Sequence, residues 1–404
     1  MTLFLFYEPL LHFHGILSYL FALKNITPSK IMLKIIIIFE KNQDIMEVQR
    51  VIHPIGQGAF YTESIHIDGS VCNIVYDCGS GSGKNAPALL KREISSFYNE
   101  NDVIDILFIS HFDNDHINGI SELRKKVSRI KNIVVPLVDC DDIWYYWVEN
   151  PDFLPFYNSL NTIADNVFRV KPQTDGEEPR TIDLFELRDY RGDDRDVESG
   201  SKFILSHNVD WCYITFNYDR KQRLTDLKAY LIAHGLSEAV FENGWGVISQ
   251  HLDTIKEAYT KIVKDGANKS SLIVYSGGLS DSYDMCSYNR AYMRKWLERE
   301  GCLYFGDNDL NQLNLLPDLQ RRLGQLVDRV GTIQVPHHGA LKNFNYSIFG
   351  AFRYCELYFI SFGNTNSYGH PSLRVVIDII RNNKTLAEIT QSRDSAYFQF
   401  FWRR

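Results

Sequence analysis

Ser110-His111-Phe112-Asp113-Asn114-Asp115-His116-Ile117-Asn118-Gly119 follows directly on residues 103–109 (VIDILFI), an apolar run with several β-branched residues that reads as a buried strand. Four side chains able to ligate a metal, His111, Asp113, Asp115 and His116, therefore fall within six residues on the loop that leaves this strand. In an extended HxD segment alternate side chains share a side, so His111 and Asp113 point together. The turn after them swings Asp115 and His116 toward a second position, so one loop can serve two adjacent cations. The competing reading is a solvated acidic turn, with Asp115 as a helix N-cap. Beyond the loop Leu123, Val127 and Ile130 recur at helical spacing, which predicts a strand, a polar loop and then a helix.

The same grammar repeats on either side. Residues 48–54 and 65–67 read as strands around a glycine turn, Ile55-Gly56-Gln57-Gly58-Ala59-Phe60. Another strand, 73–76, ends at Asp77-Cys78-Gly79-Ser80. From Ser271 onward come SLIVY, CLYFGD, GTIQVPHHG and CELYFISFG, after which GHPS opens a helix and AYFQFF closes the chain. Polar residues at successive strand ends are where open α/β sheets keep their chemistry. Residues 138–267 change character, with the cluster Trp144-Tyr145-Tyr146-Trp147 and an acidic loop over 173–201. This stretch reads as an insertion carrying a strand at 211–216 and a helix over 253–263.

Composition limits the classes open to the chain. With 43 basic and 50 acidic side chains the net charge is −7, which argues against coating nucleic acid through bulk positive charge. At 404 residues, 45% hydrophobic and 23% charged, there is material for a large core, and disordered, collagen-like and coiled-coil readings are excluded. Seven cysteines form no CxxC pair and leave at least one unpaired, so free thiols in a reducing, cytoplasmic compartment are expected. Residues 1–45 do not match the rest. Their apolar run over 3–23 carries Glu8, Pro9, His12 and His14 and no preceding basic residue, which makes a poor membrane span and a poor signal peptide. Three readings stand for this extension: an over-extended translation start with Met46 as initiator, a membrane-associating tail, or a structural arm.

The motif loop resembles the HxHxDH signature of the metallo-β-lactamase-fold hydrolases, with Asp113 in place of the second histidine. More narrowly, the chain resembles the hydrolase domain of bacterial competence (DNA-uptake) channel proteins. The match runs in order through Gly56-Gln57-Gly58, His111 to His116, Gly306-Asp307, Pro336-His337-His338-Gly339 and Gly369-His370-Pro371. The resemblance implies an α/β, four-layer αβ/βα sandwich over residues 46–404. It implies that His111 and Asp113 hold one metal, Asp115 and His116 the other, that Asp307 bridges, and that His338 is the later histidine ligand. His337 and His370 would be ligands or their supporting donors. Where ordinary members place a further histidine, this chain has Asn268-Lys269-Ser270-Ser271-Leu272.

The resemblance thus implies two divalent cations, Zn²⁺ or Mn²⁺, about 3.5–4 Å apart, with a bridging hydroxide as nucleophile and Asp115, Asp307 and His370 as the catalytic set. Asp113 hardens the site, which admits Mn²⁺, Fe or Mg²⁺ beside zinc. The expected activity is a metal-dependent hydrolase acting on phosphodiesters, as a nuclease or phosphodiesterase. Hydrolysis of a lactam, lactone or thioester and a non-catalytic metal-binding module stay as alternatives. The expected partner is an anionic phosphodiester, nucleic acid among the candidates. Lys342, just past the histidine pair, and Arg321, Arg322 and Arg329 before it are the candidate basic side chains to compensate the acidic site. The aromatic insertion offers bases a stacking platform or a protein partner a surface, and no firm membrane association is expected. Three apparent motifs carry no chemistry. Gly79 to Lys84 evokes a phosphate-binding loop, but Cys78 and Asn85 stand at two of its required positions. No GxSxG elbow is present, and the thiols lack an activating histidine context.

Overall fold

A computed structural model describes residues 46–138, 146, 150, 152–174, 176, 178–187, 191–192, 194–206, 209–218, 221–242, 245–262, 271–280, 283–289, 298–364, 366–367 and 369–403. The N-terminal extension, Trp144, Tyr145, Trp147 and Asn268 to Ser270 lie outside these residues. The chain divides into two compact units, Met1–Met46 and Glu47–Arg404, and every element named below belongs to the second.

Runs of β-branched and aromatic residues form the strands β1 (Glu47–Ile52), β2 (Phe60–Ile67), β3 (Ser70–Cys78), β4 (Val103–Phe108), β5 (Arg129–Pro136), β6 (Asn166–Val170), β7 (Thr181–Asp183), β8 (Asp194–Val197) and β9 (Lys202–Ile204). They continue as β10 (Trp211–Asn217), β11 (Leu272–Gly278), β12 (Tyr283–Asn289), β13 (Gly301–Tyr304), β14 (Val330–Gln334), β15 (Leu357–Ser361), β16 (Thr385–Ile389) and β17 (Tyr397–Arg403). Among the described residues, one sheet has the order β12-β17-β1-β2-β3-β4-β5-β6-β8 and the other β16-β15-β14-β13-β11-β10-β9-β7. Within them β3, β4 and β5 run parallel, as do β13, β14 and β15.

Helices cover the outer face of each sheet. The helix α1 (Ala86–Phe97) and the shorter α2 (Ile120–Lys126) bury Leu90, Ile94, Ile120 and Leu123 against Val75, Ile104 and Ile133 of the first sheet. The helices α3 (Leu315–Leu323) and α4 (Leu373–Arg381) bury Leu319, Leu323, Val375 and Ile379 against Ile273, Leu303 and Ile333 of the second. Two large sheets face inward with helices outside, the layered α/β sandwich of the metallo-β-lactamase fold.

Differences from the sequence reading have local causes. The helix after the motif loop stops at Lys126, because Ile130 opens the β-branched run that pairs in parallel with β4. Strand β2 begins at Phe60, inside the expected glycine turn. The stretch 138–267 is woven into the fold, since β6 and β8 extend one sheet while β7, β9 and β10 extend the other. Only its helical part, around Leu227, Leu231, Val240 and Ile255, builds a small core of its own. Tyr146, the one described member of the aromatic cluster, packs against Phe153 at 5.4 Å between ring centres and against the first sheet's core.

A buried ion pair joins the inner faces of the sheets. Arg50 Nε donates to Glu63 Oε1 at 2.6 Å, with Arg50 fully buried and Glu63 nearly so. The carboxylate also accepts from Ser276 Oγ at 2.7 Å, Tyr213 Oη at 2.8 Å and Tyr304 Oη at 2.9 Å, all from the opposite sheet. Burial pushes the Glu63 carboxyl up, but Arg50 and these hydroxyls outweigh it and hold it below the usual range. Glu63→Ala strands the Arg50 charge, and a loss of about 3–5 kcal/mol is expected in urea unfolding followed by circular dichroism. An unchanged midpoint would show that the pair adds nothing to the join.

Candidate metal centre

The ends of parallel strands from both sheets meet at one cleft. Strand β3 carries Asp77 one residue before its end, β4 leads into His111 to His116, β13 into Gly306-Asp307, β14 into Pro336-His337-His338, and β15 ends at Ser361. Asp113 stands at the start of the short helix Asn114–Ile117 with extended backbone and makes no capping bond with its side chain, which lines the cleft instead. Close backbone approach shapes the loop from below. A Cβ at Gly58 would lie 2.4 Å from the carbonyl oxygen of Asp115, which accepts from Ala59 N at 3.2 Å. The GQG turn therefore needs its second glycine to reach under the motif loop, where φ is +116°. A Cβ at Gly306, at φ +55°, would meet the Cβ atoms of Ser271 and Ser110 at 2.7 and 2.8 Å.

Asp307 sits between two sets of ligands. Its Oδ2 lies 3.8 Å from both His111 Nε2 and His337 Nε2. Its Oδ1 lies 3.5 Å from His116 Nε2 and 4.0 Å from His338 Nε2. Asp113 Oδ2 is 3.8 Å from His111 Nε2, and Asp115 Oδ2 is 3.2 Å from His338 Nε2. Two groups of ligand atoms result, His111 with His116 and Asp307, and Asp115 with His116 and His338. His370 belongs to neither group. It lies at the cleft wall, its ring 5.7 Å from that of His337.

The far sides of His116, His338 and His111 are held by hydrogen bonds. His116 Nδ1 is 2.7 Å from Asp77 Oδ2, and the Asp77 carboxylate also accepts from Ser110 N at 2.7 Å and Ser110 Oγ at 2.6 Å. With Nδ1 protonated toward Asp77, Nε2 turns its lone pair to the cleft; this tautomer is assigned from the hydrogen bonds. His338 Nδ1 donates to the Ser361 carbonyl at 2.9 Å. His111 Nδ1 lies 2.9 Å from Ser110 Oγ and 3.2 Å from Ser271 Oγ, and Ser271 Oγ accepts from Asp307 N at 2.9 Å. Ser271, from the segment without the expected histidine, thus touches the outer nitrogen of His111 and the backbone of Asp307. His337 and His338 hold left-handed backbone at φ +49° and +54°, a strained conformation of the kind that clusters at functional sites.

Electrostatics and unsatisfied atoms point the same way. His111 Nε2, His116 Nε2 and Asp307 Oδ1 are buried without a hydrogen-bond partner, facing a common centre, which is costly unless a further group completes them. Burial takes the His111 imidazole down to about 3, so it is neutral and offers a lone pair. For Asp115 burial opposes ionisation, but the neighbouring His116 and His338 outweigh it and bring the carboxyl down to about 2. Asp307 is likewise held well below its ordinary range, by His337, His338 and His116 against burial. Asp77 and Asp307 raise His116 despite burial, so the acidic site draws positive charge toward itself. The donor set of imidazole nitrogen and carboxylate oxygen fits divalent cations.

Residues 59–178 match the family model of the metallo-beta-lactamase superfamily. Over that span the chain is similar to the metallo-beta-lactamase superfamily. Among curated proteins, none matches the chain. The matched span holds the motif loop, while Asp307, His337 and His338 come from sequence beyond it and are brought to the same cleft by the fold.

Arg321 and Arg322 pair with Asp318, and Arg329 pairs with Glu300, so these three expected cations are engaged outside the lining of the cleft. Lys342 does act on the site, its charge helping to lower His337 and His370. Sequence reasoning placed Asp77 only at a strand end, and it missed Ser110, Ser271 and Asn118. Asn118 accepts from Ser80 N at 3.0 Å and donates to Ser80 O at 2.9 Å, clamping the glycine-rich loop beside the motif. Its place in the run Asp115-His116-Ile117-Asn118-Gly119 was the available signal. Asp77→Asn keeps the shape but loses the charge that orients His116. Zn²⁺ affinity in a chelator-competition titration is expected to fall about 10–100-fold with the fold intact; wild-type affinity would refute this orienting role.

Proposed function

We propose that the protein is a metal-dependent hydrolase of phosphodiesters, with nucleic acid as the substrate class. The observation that carries the hydrolase reading is Asp307, whose two oxygens address separate histidine sets in one open cleft of about 320 Å³. His111, Asp113 and His337 stand toward the Oδ2 side of Asp307 and Asp115 and His338 toward its Oδ1 side, with Asp307 between them and His116 in both ligand groups, as the residues that would hold two cations. A divalent pair held there supplies Lewis acidity and an acidified water near neutral pH.

The chain's own residues set the rest of the chemistry. Asp115 and Asp307 stay ionised and His111 stays neutral, so these three offer their ligand atoms without a competing proton, whereas His116 and His338, raised by neighbouring carboxylates despite burial, would give up a proton to a cation. His370, brought down to about 4 by burial and by the charges of His337 and His338, is neutral at the cleft wall and can hydrogen-bond a substrate oxygen without adding charge. Asp77, Ser110 and Ser361 keep the imidazoles from rotating. Support for the phosphodiester comes from the cleft lining. Gln57, Ser80, Asn114 and Asn118 join the ligands, and no aliphatic or carbocyclic side chain appears among the described lining residues. A lactam or acyl thioester would find no apolar wall there, whereas phosphoryl oxygens would meet amide and hydroxyl donors. Asp113 in place of an imidazole suits the harder cations that work on phosphate.

Purified protein is expected to retain nearly two equivalents of metal and to hydrolyse bis-p-nitrophenyl phosphate with Zn²⁺ or Mn²⁺, in preference to a lactam and a thioester. Asp115→Ala and Asp307→Ala are each expected to lose more than about a hundredfold in activity, beyond what removing a supporting residue costs. Wild-type activity in both variants would overturn the catalytic assignment, and a preference for the lactam or thioester would overturn the substrate class.

A further inference from the structure

The glycine-rich loop that failed as a phosphate-binding motif has a structural place that the hydrolase reading leaves unused. Ser80 and Gly81 line the cation cleft, and the next residue, Ser82, lines a second hollow of about 500 Å³. One short loop is thus the wall between the two. Gln391 Nε2 donates to Ser82 Oγ at 3.4 Å and Gln391 Oε1 accepts from Asn364 N at 3.1 Å, so the far rim is tied to the same loop. On the near side Gln57 is buried, lines the cation cleft, and has its Oε1 without a hydrogen-bond partner. A buried amide oxygen left open at the junction of two hollows calls for a donor from whatever passes between them.

The chemistry of the second hollow differs from that of the first. Its polar side chains are Ser82, Asn85, Arg92, Asn364 and Gln391, over an aliphatic floor of Ala88 and Leu89, and among the described residues no carboxylate lines it. Asn85, Ala88, Leu89 and Arg92 follow the i, i+3, i+4, i+7 spacing of one face of α1's first turns. Arg92 spends Nε on Glu93 at 2.7 Å and reaches the Pro54 carbonyl with Nη2 at 3.4 Å, and its five-donor fork keeps N–H groups for an anion. Asn85 makes no capping bond, so its amide is open to a ligand. Side-chain amides carry a donor and an acceptor in one plane, the pattern that pairs with a base edge, while an aliphatic floor suits a flat ring.

Resting on the phosphodiesterase reading of the adjoining cleft, we propose that this hollow binds the nucleoside unit next to the scissile phosphodiester of a single-stranded nucleic acid. Asn85 and Asn364 address the base, Arg92 takes the following phosphate, and Gln57 receives a donor from the segment between.

The test compares the full chain with Arg92→Ala and with Asn364→Ala, two changes on separate elements. Binding is read as fluorescence anisotropy of a labelled oligothymidylate, and turnover as the ratio of kcat/KM on that oligonucleotide to kcat/KM on bis-p-nitrophenyl phosphate, which has neither a base nor a second phosphate. Each variant is expected to weaken binding about tenfold and to lower the ratio about as much, the scale of one lost charge-assisted or buried hydrogen bond. Unchanged binding and an unchanged ratio, or no oligothymidylate binding by the wild type, would overturn the subsite. If the wild type hydrolyses neither substrate while both variants weaken binding, the hydrolase reading fails and the subsite stands.

Discussion

The Asp77 carboxylate, wholly buried, is the constraint on which the centre depends. It closes one strand of the first sheet and accepts three hydrogen bonds from the loop that leaves the next, two of them from Ser110 and one from His116. A carboxylate in that position is expensive unless all its acceptors are used. The motif loop uses them, and in doing so takes up the one shape that presents His116 Nε2 inward. Burial raises the Asp77 carboxyl, while His116 and Ser110 pull it back.

Around that anchor the two sheets contribute unequally. The first supplies His111, Asp113, Asp115 and His116 from a single loop. The second supplies Asp307 and the histidine pair from the ends of adjacent parallel strands, with Gln334 Oε1 accepting from both Phe305 N and Gly306 N at 2.9 Å to set the approach to Asp307. His337 N in turn donates to Gly306 O at 3.1 Å, so the left-handed turn of the histidines is braced on the neighbouring strand end.

Much of this was legible in the residues. The strand-then-ligand order at 103–116, 301–307 and 330–338 follows from apolar runs that end in Asp and His, and the structure places those ends together. His370, read as catalytic, lies at the wall and outside both ligand groups. What escaped has physical reasons. A helix end at Lys126 depends on whether Ile130 pairs with β4, which helical spacing alone does not reveal. The role of Ser271 rests on a contact across 160 residues of chain and that of Ser110 on one across 33, and nothing local in a serine announces them. The engaged states of Arg321, Arg322 and Arg329 depend equally on where Asp318 and Glu300 fall.

Arg50 and Glu63 stand directly opposite each other on neighbouring strands, and the carboxylate reaches across to hydroxyls of the facing sheet. Such an arrangement works as an alignment pin. Sliding one sheet over the other by a single residue would carry the Glu63 carboxylate about 3.3 Å from its hydroxyls and leave ionic groups unsatisfied in a buried layer. The join therefore opposes translation of one sheet over the other more than a small tilt. Ligands carried on different sheets keep a fixed spacing through such motion, and a centre assembled from distant strand ends gains the rigidity of one built on a single element.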